Sequence, residues 1–523
     1  MAPRSRREFL ADVGRGMLVA GVGYGTALDL GLTPAIADEA SDAITFGDRE
    51  VLVRLMQDTP ADKLQPILVQ RLKSGTDLKE LVAAAALSNA RTFAGEDYVG
   101  FHTLMALSPA YLMSKELPSD KAPLPVLKVL YRNANRIQEH GGHKSELMHT
   151  VALGQTNGGP VTTDDLHRAV LASNKTLSEQ HFARIARQSA EDAFNSVLEV
   201  VQDNAEVHRV VLPYRAWDLL DLVGKEHAHT MLRQSVRYCV KAEGNKYNEY
   251  ARGGSKLLPK LFDQYKLLAK PLGTSPAEDG WIDNLSKTIF TGTPDQAAEA
   301  VAAALAEGFA PDTVGLAITL ATNQLILRDK GRPAGHTSKD KPEGSVHGDS
   351  IGVHACDSAN AWRNMARASN ARNTAACLII GAWQAAFDRT NRGGDFLNWQ
   401  PWPTTEHDEK LAAKGPQSTP QAILATLESA IRSNDQSLAC AATAAYAKLD
   451  QPERPIFDLL LKYSISEDGA LHAEKFYRTV TDEFASTRPA FRWRHVIGLA
   501  RVVASEFGKP APGQEEAQRL LIG

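Results

Sequence analysis

Apolar residues recur at three- and four-residue spacing through segment after segment of this chain, and that period commits it to helices. "LKELVAAAALSNARTF" from Leu78, "SAEDAFNSVLEVVQ" from Ser189, "PDQAAEAVAAALAEGF" from Pro294 and "PQAILATLESAIRS" from Pro420 all carry it. Several such segments open with Asp, Ser, Thr or Pro, the residues that cap or start a helix. The sequence holds no convincing alternating strand and no strand–helix–strand pattern. Alanine is abundant and β-branched runs are scarce, which favours helix over sheet. The expected fold class is all-α.

An internal repeat adds to this. "ELVAAAALSNARTFAGEDYVGFHTLMALSPAYLM" parallels "EAVAAALAEGFAPDTVGLAITLATNQLIL". Each gives an alanine-rich helix, a short turn, Val-Gly, and a second apolar helix. Units of this kind stack into a solenoid or close into an α/α toroid, so residues 38–523 are expected to form one domain of stacked helical hairpins. Two irregular segments interrupt the pattern, 329–352 and 388–410. The second carries Phe396, Trp399 and Trp402 among prolines. It reads either as a packed flap over a site or as a loop covering a helix end.

The first 37 residues read as a leader. Arg6 and Arg7 precede Phe9 and Leu10, a mildly apolar stretch follows, and "AIA" at 35–37 fits a small-residue cleavage site. This is the pattern of a twin-arginine export signal. It implies the twin-arginine machinery as a partner and a periplasmic mature protein that crosses the membrane already folded. The apolar stretch is too short and too interrupted for a stable membrane span. Its "GVGYG" belongs to the leader and is no nucleotide loop. Net charge is -4 with no Lys/Arg run, which argues against nucleic acid as a partner. The four cysteines, Cys239, Cys356, Cys377 and Cys440, have no zinc-ribbon or haem spacing and are expected as buried thiols.

The chemistry lies in the helix heads. "VGFHTLMALSPAYL" holds His102, "AEVHRVVLPYRAWDLL" His208, "IGVHACDSANAWRNM" His354 and "GALHAEKFYRTV" His472. Each histidine follows an apolar residue and leads into a largely apolar helix. A helix cap or a core hydrogen bond is the ordinary explanation for any one of them. Four in matching contexts, on elements that stack, point to convergence on a common centre. Neutral imidazoles suit iron, copper, zinc or nickel, and three or four of them leave room for water or substrate. His227 in "GKEHAHTMLRQ" is a fifth candidate, as a further ligand or proton shuttle; His229, two residues on, points the other way on a helix. Arg215, Arg363 and Arg478 follow three of the four histidines and are candidates to hold an anionic substrate or to orient the ligands. Lys475 and Tyr477 stand close to His472. No HExxH, GxSxG, Walker or paired ExxH motif is present.

The four histidine-bearing segments and "VGKEHAHTMLRQSVRY" are similar to segments of an uncharacterised bacterial family of exported, histidine-bearing helical proteins. That resemblance implies histidines at the positions of His102, His208, His227, His354 and His472, and a lysine at Lys475. More distantly, the same helices resemble questin oxidase-like proteins, a group linked to oxygen insertion into aromatic polyketides. The expectation is an exported metal-dependent enzyme acting on a small molecule. It would be an oxidoreductase using iron or copper ahead of zinc, with His102, His208, His354 and His472 as ligands and His227, Arg215 and Lys475 as catalytic groups. The alternatives are a zinc-dependent hydrolase or lyase, and a non-enzymatic helical-repeat binding protein.

Overall fold

The computed structural model describes residues 42–153, 160–244, 251–391 and 393–522. The leader expected at 1–37 lies outside them. The described chain is helical throughout, its helices packed against one another; the only β-type pairs among the described residues are isolated bridges. No described helix is long and apolar enough to cross a membrane. The four cysteines are buried free thiols, as expected.

The helices that matter for the site are, in chain order, α1 (Leu78–Phe93), α2 (Tyr98–Ser114), α3 (Leu124–His140), α4 (Val207–Asp218), α5 (Ala228–Glu243), α6 (Pro294–Glu307), α7 (Pro311–Arg328), α8 (Ile351–Ala368), α9 (Ala371–Asn391), α10 (His472–Ser486) and α11 (Trp493–Glu506). Their ends are written in the sequence. Asp77 caps α1 by accepting from Lys79 N at 2.9 Å, and Asp97 caps α2 by accepting from Gly100 N at 2.7 Å. Residues 81–93 of α1 are buried without a break. A helix buried on every side belongs to the interior, and the small side chains of Ala83–Ala86 let its neighbours approach closely.

The second copy of the repeat behaves differently from the first. α1 and α2 pack as a hairpin, whereas α6 packs chiefly along α9, and α7 along α8. Gly352 shows how closely the last two meet: a Cβ there would stand 2.6 Å from the Ile326 backbone.

Helices α2, α4, α8 and α10 form the centre. Each packs against two of the others, in the cyclic order α2, α4, α8, α10 and back to α2. They also run in one direction. Ser108, in the second half of α2, donates to Asp218 at the end of α4. Thr479 in α10 donates to Asp357 in α8 at 2.8 Å, and one helical turn further Asn360 donates to Glu483 at 2.8 Å. The N-terminal ends of all four helices therefore lie at the same end of the bundle.

Candidate functional site

That shared end carries the four histidines. His102 is the fifth residue of α2, His208 the second of α4, His354 the fourth of α8 and His472 the first of α10. Their rings follow the cyclic order of the helices, with centroid separations of 4.8 Å from His102 to His208, 5.9 Å to His354, 5.5 Å to His472 and 5.2 Å back to His102. Segments as far apart as residues 102 and 472 thus meet at one place, as the helix heads led us to expect.

Two of the rings are fixed in tautomer by their partners. His102 Nδ1 lies 2.7 Å from the Tyr98 carbonyl, which can only accept, so the ring carries its proton there. His208 Nδ1 donates to Glu206 at 2.6 Å. In both rings Nε2 is buried without a hydrogen-bond partner among the described residues. Imidazoles that ligate metals are oriented in this way, by a carbonyl or carboxylate on the far nitrogen. The nearest pair of nitrogens is His354 Nε2 and His472 Nε2, 3.5 Å apart. Nitrogens sharing one ion at about 2.0–2.1 Å in a tetrahedron stand about 3.4 Å apart, with ring centroids about 5 Å apart. As the rings stand, no group of three or more His, Cys, Asp or Glu side chains among the described residues is set to hold a metal ion. Ring rotations would have to draw the remaining nitrogens in.

The electrostatics keep two of the rings neutral. Burial, then the positive charge of Lys475, hold His102 far below the ordinary histidine range, and the same two causes act on His472. Glu206 is pulled the other way. Burial alone would raise its carboxyl, but His208, the Tyr238 hydroxyl and backbone N–H groups hold it down to about 2. It also caps α4, accepting from His208 N at 3.1 Å and Arg209 N at 3.0 Å.

Below the histidines a second layer of polar groups faces the bundle axis. Lys475 and Thr479 follow His472 on α10 at three and seven residues, Asp357 follows His354 at three, and Arg215 follows His208 at seven. These spacings keep each on its histidine's face. Burial lowers Lys475 to about 8 and raises Asp357. Neighbouring Glu474 turns away from the axis and pairs with Lys128 at 2.6 Å.

Tyr98 packs over the ring from the surface. This side chain is 60% exposed and packs 4.4 Å from His102 and 5.5 Å from His208. The segment 329–350 folds against α10: a Cβ on Gly348 would stand 2.0 Å from His472 Cβ. Val346 N donates to Ser505 Oγ at 2.9 Å and Gly348 N to Glu506 at 3.0 Å, both on α11. The covering segment is therefore the first irregular one. The second, with its tryptophans, packs elsewhere: Arg501 stacks 3.7 Å over Trp402, and Arg328 donates to the Trp399 carbonyl at 2.6 Å.

Several candidates lie away from the centre. His227 sits in a short 3-10 turn just ahead of α5, its ring edge-on to Phe46 at 5.7 Å, and no ring contact joins it to the four histidines. The expectation that it ligates or shuttles protons beside the four rings is corrected: Gly224, at φ +103°, ends the helix before it, and the ring packs on Phe46 instead. Arg363 binds Glu483 at 2.6 Å and Asp312 at 3.2 Å. Arg478 pairs with Asp482. Tyr477 donates to Glu116 at 2.7 Å, at a surface groove between Leu117, Arg454 and Leu521. Tyr98, Glu206 and Asp357 were not singled out from sequence, although each lies within four residues of a candidate histidine. Compared with known proteins, the chain matches no family model, no curated sequence and no solved structure.

Proposed function

We propose that the chain is an enzyme that holds one transition-metal ion, iron or copper ahead of zinc, on His102, His208, His354 and His472, and that it is an oxidoreductase acting on a small molecule. The observation that carries this reading is the pinning of His102 and His208 through Nδ1, which leaves a buried, unpartnered Nε2 on each of two members of a circle of four imidazoles. The donor set is neutral and nitrogen-only, the chemistry that suits these metals. Bound there, such an ion supplies Lewis acidity and, for iron or copper, electron transfer. The chain's own part is to keep His102 and His472 unprotonated by burial and by the Lys475 charge, and to orient His102 and His208 through Tyr98 and Glu206. Export of the folded, loaded protein to the periplasm by a twin-arginine leader fits this reading.

Elemental analysis and a visible spectrum of protein purified from its export route test it. Iron or copper at one ion per chain, lost in His354→Ala, is the expected result. Zinc alone with no visible absorbance would transfer the site to hydrolytic or lyase chemistry. Metal-free protein with full activity would end the metal reading.

A second reading, metal-independent acid–base catalysis by Lys475 among neutral imidazoles, is favoured by two observations. Lys475 is held at about 8, and among the described residues no trio of side chains is set around an ion as the rings stand. It requires activity that survives exhaustive chelation.

A further inference from the structure

Among the described residues, two buried cations below the histidine ring make no hydrogen bond. Arg215 is 1% exposed and Lys475 3%. Among the described residues no side-chain hydrogen bond reaches the Arg215 guanidinium, and its Nε and Nη1 are buried without a partner. Its one ion-pair neighbour, Asp218, lies 3.6 Å from Nη1 and already receives the Ser108 hydroxyl. The guanidinium also lies 4.6 Å from the face of Tyr214 and acts through charge alone on Asp357 and Asp482. No hydrogen bond or ion pair reaches Lys475 Nζ from any described residue; Asp357 acts on it through charge, and spends a carboxylate oxygen on Thr479. Buried charged donors left unmet are costly. Structural cations in this same protein meet partners: Lys128 has Glu474, Arg233 has Glu179 and Arg363 has Glu483.

The two cations share one axis. His208 to Arg215 is two turns of α4, and His472 to Lys475 one turn of α10, so both side chains stand inward of the ring on the faces that carry the histidines. They are close enough that the charge of Arg215 lowers Lys475. The four helix N-termini at this end add positive potential, and α8 and α10 have no side-chain cap there.

We propose that Arg215 and Lys475 form a subsite that binds the carboxylate of a monoanionic substrate, directly beneath the histidine ring. A single carboxylate offers two oxygens to the two unmet cations. Asp357 and Asp218 stand beside them and oppose a dianion, so phosphate is disfavoured. This deepens the proposed function by naming the substrate class; the subsite itself requires neither a metal nor turnover.

Calorimetric titration of the full mature chain, metal-free and metal-loaded, with benzoate, benzamide and inorganic phosphate tests it. Benzoate should bind saturably in both preparations, and benzamide and phosphate at least about tenfold more weakly. Arg215→Met and Lys475→Met should each weaken benzoate by about thirtyfold or more, as expected for losing a buried charge-assisted contact. Arg215→Lys, which keeps the charge, should lose less and serves if the methionine variant fails to fold. His354→Ala should retain benzoate binding while losing metal, so failure of the metal reading leaves a separate signature. Equal binding of benzoate and benzamide, phosphate binding as tightly as benzoate, no saturable benzoate binding, or unchanged affinity in the Arg215 and Lys475 variants would each overturn the subsite.

Discussion

At the scale of the residue, Glu206 concentrates several roles in one carboxylate. It caps α4, accepts from Tyr238 at 2.7 Å and holds the His208 proton on Nδ1. Glu206→Gln keeps the size and a capping oxygen but loses the charge that polarises the imidazole. Metal affinity should fall by about 10–100-fold, the usual cost of losing an orienting partner, while stability changes by about 1 kcal/mol, the scale of a weakened cap. Competitive metal titration and a thermal melt would measure the two effects, and unchanged affinity would remove Glu206 from the site. His227→Ala is the matching control, with metal content expected to be unaltered. The contrast between these two residues also marks what local sequence can reveal. Glu206, Tyr98 and Asp357 are legible as near neighbours of histidines at helix heads. The packing of His227 on Phe46 joins segments about 180 residues apart, which no residue pattern around it encodes.

At the scale of the element, the approach to α10 is strained. Gly469, Ala470 and Leu471 have φ of +50°, +47° and +64°, and His472 follows at once. Non-glycine residues in this region cost about 1–2 kcal/mol each, and such strain persists where the surroundings over-determine it. Ala470→Gly should raise stability by up to about 1 kcal/mol while loosening the His472 ring, so metal affinity or turnover should drop as the melting temperature rises. Both quantities rising together would show that the turn plays no part in placing the ring. The covering segment 329–350 has its own anchor in Asp349, which accepts from Arg332 and, at 2.7 Å, from Lys341. Burial alone would raise this carboxyl, but the two cations hold it at about 2. Its folded value lies below the ordinary one of about 4, so its contribution is complete above that ordinary range and is lost as pH falls toward about 2. Pepsin cleavage within residues 331–350 should increase over that window. Asp349→Asn should already be cut at the upper end, and equal cleavage of both proteins would dismiss the anchor.

At the scale of the whole molecule, the helical class and the convergence of four histidines were legible for different reasons. Helix follows from the apolar period and the caps, which are local. Convergence was inferred from a recurring context, and the bundle bears it out through packing that joins α2 to α10 across the length of the chain. The repeat misled where it was weakest, because α6 leans on α9 and α7 on α8. Which helix meets which is decided by close approaches such as Gly352 on Ile326, and pair contacts of that kind leave no period in the sequence. The same long-range closure has a thermodynamic consequence. Ligands drawn from residues 102 to 472 do not converge in an unfolded chain, so an ion that binds only the folded state stabilises the whole bundle. At a hundredfold excess over its dissociation constant that is about 2.7 kcal/mol, a few degrees in melting temperature for a chain of this size. Chelation should therefore lower the main unfolding transition measured by calorimetry. Metal should restore it in the parent protein and fail to do so in His102→Ala and His472→Ala alike, although those two residues stand at opposite ends of the chain. If metal instead shifted the parent and only one of the two variants equally, the four imidazoles would not be acting as one centre.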